Sequence, residues 1–116
     1  MDSPLDRITD WNGLAEQAGF RVQALAEILH RTPKGLRDYV RLRWNRSTKT
    51  WLAGLQMRVA RHRLLAGERP KEIAQLVGFQ HATHFSRAFR IAHGVSPRAF
   101  LIDQIKESSR KGSKLV

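Results

Sequence analysis

A chain of 116 residues with 41% hydrophobic and 27% charged side chains has the composition of a soluble globular protein, built as one domain or two very small units. It holds no cysteine, which excludes disulfides, thiolate chemistry and cysteine-ligated zinc. Its net charge of +11 points to a polyanionic partner: DNA, RNA or an anionic membrane surface.

Strand-favouring residues do not alternate, whereas apolar spacings of three and four recur, so an all-α fold of about seven helices is expected. The first runs from about Leu5 to Ala18 and stops at Gly19. The second covers Val22 to Leu29. Thr32-Pro33 reads as an N-cap with proline at the first helical position, opening a third helix to about Arg43. Ser47 caps a long fourth helix, Thr48 to Ala66, closed by Gly67. Pro70 opens a fifth that Gly78 stops. The sixth runs from about His81 to His93, before Gly94. Ser96-Pro97 repeats the cap-plus-proline signal and opens a seventh, to about Ile105. The remaining segment is polar and basic and reads as a flexible tail.

A short helix, a tight turn and a longer basic helix occur at 22–43 and again at 70–93, the order of a helix-turn-helix. The expected division is therefore a first helix-turn-helix unit at 1–47, a linker helix at 48–66, a second unit at 67–105 and the tail at 106–116. At about 100° per residue, the linker helix carries one stripe of Leu52, Leu55 and Val59, and a second of Ala53, Met57, Ala60 and Leu64. A helix serving one core needs one stripe. Two stripes suit a helix gripped by a different small bundle on each side.

On the third helix, Leu36, Tyr39 and Val40 turn inward, while Lys34, Arg37, Asp38 and Arg41 turn out. On the sixth, Ala82, Phe85, Ala88, Phe89 and Ala92 share one side. Thr83, Arg87 and Arg90 oppose them, with His84 on the flank. A major-groove helix needs this mixture of long basic and short polar groups, because arginine bonds guanine in bidentate fashion and a threonine methyl packs on thymine. One basic face alone is as well explained by solvation. Two, each second in a helix-turn-helix pair on so basic a chain, favour DNA reading. Asp38 has two readings, an acceptor for a cytosine amino group or a partner for Lys34 one turn away. Gly35 inside the third helix permits close backbone approach to DNA, or has no role at all.

The second half resembles the AraC/XylS-type transcription regulators, through Glu72-Ile73-Ala74, Gly78-Phe79, His84-Phe85-Ser86-Arg87, Phe89-Arg90 and Gly94-Val95-Ser96-Pro97, ending at Phe100. The first half fits more loosely, through Leu25-Ala26, Leu36, Val40, Trp51-Leu52, Met57 and Ala60. The resemblance spans about Val22 to Phe100. It implies two helix-turn-helix units bridged by a helix, whose second helices enter successive major-groove segments. Carried over by position, the base readers are Lys34, Arg37, Asp38 and Arg41 in the first unit and Gln80, Thr83, His84 and Arg87 in the second. The chain is similar to the short stand-alone members, which act as monomers and often activate transcription by contacting RNA polymerase. It departs from them at His30 and Asn45, where glycine is common, and at Gln56, where arginine is common. The first turn is therefore expected to be shaped differently.

Arg46, Lys71, Arg90 and Arg98 lie at helix ends or beside the reading faces, and are expected to position phosphates. Lys106, Arg110, Lys111 and Lys114 in the tail either follow the DNA backbone or are simply solvated. His81 and His84 lie three apart but lack further ligands, so no metal or other cofactor is expected. No nucleophile triad or glycine-rich phosphate loop is visible, so an enzyme is not expected. Trp11, Trp44 and Trp51 sit beside apolar positions and read as core or hinge residues. No apolar run approaches the roughly 18 residues that span a bilayer, and Met1-Asp2-Ser3-Pro4 does not begin a secretory signal, so a cytoplasmic protein is expected. The reading reached is a sequence-specific regulator that binds double-stranded DNA. Its rivals are an architectural DNA-binding protein with little sequence preference and a helical protein of RNA or membrane surfaces.

Overall fold

In the computed structural model the described residues are 3–114, with side chains described through Glu107. They form a single 3-10 turn, Pro4–Arg7, and seven α-helices: α1 (Trp11–Gln17), α2 (Val22–Ile28), α3 (Pro33–Trp44), α4 (Thr48–Leu65), α5 (Pro70–Leu76), α6 (Ala82–His93) and α7 (Pro97–Lys114).

Local capping chemistry sets most of these boundaries. The Thr32 hydroxyl accepts from Gly35 N at 3.0 Å, Ser47 from Thr50 N at 3.2 Å and Ser96 from Ala99 N at 3.1 Å. A Cβ on Gly35 would lie 3.1 Å from the Thr32 hydroxyl that caps this helix, a tight contact. The expected first helix is not continuous. Ser3 and Asp6 form a capping box around the 3-10 turn, and Asp10 then caps α1 by accepting from Gly13 N at 2.9 Å. A carboxylate in mid-helix would have no such donor, so the chain breaks at Ile8–Asp10 and restarts. At the other end, α7 continues past Ile105 and takes in most of the segment expected to be a flexible tail. The side chains of Arg110, Lys111 and Lys114 lie outside the described residues.

The two helix-turn-helix corners match. Arg31 N donates to Ala26 O at 2.8 Å after α2, and Phe79 N donates to Ala74 O at 2.8 Å after α5. These are the six-to-one bonds of a helix ending in a left-handed residue, His30 at φ +56° and Gly78 at φ +93°. The expectation of a differently shaped first turn was therefore wrong: His30 adopts the glycine conformation. Asn45, at φ +52°, does the same after α3. A left-handed L-residue costs about 1–2 kcal/mol, partly offset by the larger unfolded-state entropy of glycine, about 0.5–1 kcal/mol. His30→Gly should therefore stabilise the protein, by about 0.5–1 kcal/mol. A thermal melt checks this, and an unchanged or lower Tm would refute it.

Two hydrophobic cores lie along α4. The first gathers Leu5, Trp11, Ala15, Leu25, Leu36 and Val40 around Trp51, Leu52 and Leu55. Its aromatic centre is Trp11, Trp44 and Trp51, with Trp44 and Trp51 stacked at 5.0 Å and Trp11 edge-on to both. The second gathers Ile73, Ala74, Val77, Phe85 and Phe89 around Met57, Val59, Ala60 and Leu64. The linker helix thus serves two cores, but the residues divide along its axis more than around it. Val59 joins the second core and Ala53 is exposed, which corrects the stripe assignment.

Three side chains tie the units together. Gln56 donates to the Val77 carbonyl at the end of α5. Arg63, near the end of α4, bonds Glu16 on α1 and both carboxylate oxygens of Glu68, at 2.8 and 3.0 Å. The hydrogen bond to Glu16, with that to Glu68, raises the pKa of its guanidinium. His93 Nε2 lies 3.2 Å from the Met57 carbonyl oxygen, and its ring packs against Phe89. In the first unit Tyr39 donates to Asp6, and Arg43 donates to Tyr39 at 2.6 Å. The tyrosine hydroxyl holds the Asp6 carboxyl below its ordinary range, while burial pushes the Tyr39 phenol up.

Candidate nucleic-acid interface

The second helix of each unit, α3 and α6, packs one side into its core and leaves the other to solvent. Leu36 and Val40 anchor α3, and Phe85 and Phe89 anchor α6, all four fully buried. Thr32 and His81 hold equivalent places just before these helices. The same buried spacing, four residues apart, follows each of them. The outward faces are consequently alike in register.

All eight side chains expected to face bases are exposed: Lys34, Arg37, Asp38 and Arg41 on α3, Gln80 in the turn before α6, and Thr83, His84 and Arg87 on α6. The four expected phosphate contacts, Arg46, Lys71, Arg90 and Arg98, are exposed as well. Lys71 and Arg98 stand in the first turns of α5 and α7, and Arg46 lies between α3 and α4. Of the alanines expected on the inner side of α6, Ala88 is half-buried there, whereas Ala82 and Ala92 are exposed. Half-buried His93 completes the inner side.

Asp38 does pair with Lys34, at 3.5 Å, with the two side chains 69% and 82% exposed. An ion pair that wet is worth about 0.3–0.5 kcal/mol, so it restrains neither partner. The three longest helices within residues 33–93, α3, α4 and α6, carry one acid between them, Asp38. The acids Asp6, Glu16 and Glu68 are engaged with Tyr39, Arg43 and Arg63. Unopposed positive charge is therefore left on the exposed helical faces. The His81 and His84 rings meet edge to face at 5.1 Å, and no group of three metal-ligating side chains occurs among the described residues.

Sequence reasoning missed two residues of this surface. Leu42 is 88% exposed and Ile91 is 80% exposed, each one turn beyond a candidate reader, Asp38 and Arg87 respectively. Single exposed apolar side chains are ordinary on a protein surface, and these two are notable only for standing within one turn of the candidate readers. The periodicity did hold the signal, since both fall outside the buried stripe of their helix.

The model of a family described as helix-turn-helix domain, of the AraC type, matches residues 25–102. The chain belongs to the AraC-type helix-turn-helix family. An AraC-type protein of this kind is a DNA-binding transcription regulator, and its partner is double-stranded DNA. The architecture agrees. A DNA-binding transcriptional dual regulator from Escherichia coli K-12 superposes with a TM-score of 0.69 at 18% identity, over 82% of this chain and 88% of that one. The C-terminal domain of AraT, a response regulator from Geobacillus stearothermophilus, superposes with a TM-score of 0.62 at 26% identity, over 84% and 88%. A search of curated proteins returns no match. No helix among the described residues of this AraC-type chain is long and apolar enough to cross a membrane.

Proposed function

We propose that the protein is a sequence-specific regulator whose α3 and α6 enter successive major-groove segments of one DNA site. The observation that carries this reading is the matched pair of outward faces, both rich in arginine and both punctuated by shorter polar groups. Arg37, Arg41 and Arg87 have the fork that bonds guanine, Thr83 offers a methyl and a hydroxyl, and Gln80 has the amide that bonds adenine. A protein that only coats phosphates has no use for Gln80, Thr83 and His84 at the groove end of a helix. Arg46, Lys71, Arg90 and Arg98 set the register through phosphates. The two faces differ in sequence, so a monomer reads an asymmetric site.

Selection from a random DNA pool at near-physiological salt, with excess competitor, tests the proposal. One asymmetric motif with two short blocks about one helical turn apart is expected. A single block would confine base reading to one helix. No enrichment, with affinity collapsing as salt rises, would leave an architectural protein.

A further inference from the structure

Beside the first core lies an open cleft of about 440 Å³ whose walls combine indole rings and guanidinium groups. All three tryptophans of the chain, Trp11, Trp44 and Trp51, line it. Arg43, Arg46 and Arg58 line it too, and no acidic residue does. Arg43 is engaged with Tyr39 and Asp6. Among the described residues, Arg46 and Arg58 have neither an ion pair nor a side-chain hydrogen bond. The buried Trp11 Nε1 likewise has no acceptor. Gly54 lies on the α4 wall, where a Cβ would meet nothing within 4 Å. A cleft of this size that brings indole rings together with convergent guanidinium groups has the dimensions and the polar anchors of a small-molecule site.

We propose that this cleft binds a small aromatic carboxylate, the ring against the tryptophans and the carboxylate on Arg46 and Arg58. The ring supplies the apolar area that indoles bury well, with the offset or edge geometry that aromatic faces prefer. Guanidinium forks match a carboxylate in bidentate fashion. The cleft includes the last turn of α3, through Arg43 and Trp44, and Arg46 just beyond it. Arg46 is also a proposed phosphate contact, and it cannot hold a phosphate and the ligand's carboxylate at once, so occupancy bears on how the first unit meets DNA. Whatever the ligand does to DNA affinity, DNA does equally to ligand affinity.

Calorimetric titration of the whole chain with naphthoate, against uncharged naphthamide as control, tests the site. Naphthoate should bind one to one, and naphthamide on the order of tenfold or more weakly, as loss of a charge-assisted pair implies. Gly54 lines the cleft and a Cβ there would meet nothing within 4 Å, so Gly54→Leu adds side-chain bulk at the cleft wall and improves helix propensity on α4. It should abolish naphthoate binding while leaving the Tm the same or higher, which separates a blocked site from a damaged fold. Arg58→Gln should bring naphthoate down to the affinity of naphthamide. Equal binding of the two compounds, or naphthoate binding undiminished in Gly54→Leu, would overturn the proposal. So would the absence of heat with naphthoate up to millimolar concentration. The link to DNA rests on the DNA-reading proposal and is scored separately, as a change in naphthoate affinity when a selected DNA site is present. An intact cleft with no such change would leave the site standing and remove only its coupling to DNA.

Discussion

Phe89→Ala should destabilise the protein by about 3–5 kcal/mol, the range for truncating a buried phenylalanine. Phe89 is fully buried and meets Phe85 at 6.0 Å, Phe100 at 5.7 Å and the His93 ring at 4.4 Å. These contacts join α6 to α7, and through His93 to the Met57 carbonyl on α4. A cavity at their centre cannot close by moving one neighbour. Total stability for a domain is typically about 5–15 kcal/mol, so the loss removes a large share of it. Because the cores are separate clusters, the damage should concentrate in the second unit. Hydrogen exchange should show amides of α5 and α6 losing protection before those of α2 and α3. Denaturant melts followed by circular dichroism give the total. A loss below about 1 kcal/mol would mean that the second core is not organised around this ring.

The second large effect concerns binding. Arg87→Ala should weaken binding to the preferred site by about 1–3 kcal/mol and relax the choice of base at one position. The exposed guanidinium of Arg87 is one turn beyond Thr83, with no ion pair among the described residues to hold it back. Arg98→Ala provides the contrast. Arg98 stands in the first turn of α7, outside both reading helices, so its loss should weaken all sequences alike and flatten the salt dependence. Titrations of both variants on matched and singly mismatched DNA check the assignment. Identical behaviour of the two on both kinds of site would contradict it.

The parts of this architecture readable from the sequence are those set by local chemistry. Thr32-Pro33, Ser47, Pro70 and Ser96-Pro97 each announce a helix start because the capping hydroxyl or the proline ring acts within one turn. The inward faces of α3 and α6 were legible at Leu36, Val40, Phe85 and Phe89, since burial follows the helical period. Asp10 was equally local, yet the apolar spacing around it suggested one continuous helix. Val59 went to the wrong core because a wheel projects α4 onto a circle and discards position along the axis, which is what separates its two cores. The roles of Gln56, Arg63 and His93 depend on partners 21, 47 and 36 residues away. No periodicity reports such pairings. Leu42 and Ile91 show the opposite case, residues whose exposure the helical pattern already contained. The cleft arises where Ile8, Thr9 and Trp11 meet the end of α3 and the first half of α4, and its geometry exists only in the folded chain.

The central claim is that one rigid unit reads two groove segments at once, α4 being gripped by both cores and braced by Gln56 and Arg63. The most direct test is to insert about five base pairs, half a helical turn, between the two blocks of the selected site, and to compare affinity with the parent site and with each block alone. The insertion turns the second block to the far side of the duplex. Affinity is expected to fall to that of a single block, and to recover in part when a full turn is inserted only if α4 bends. Unchanged affinity after the half-turn insertion would contradict simultaneous reading by α3 and α6.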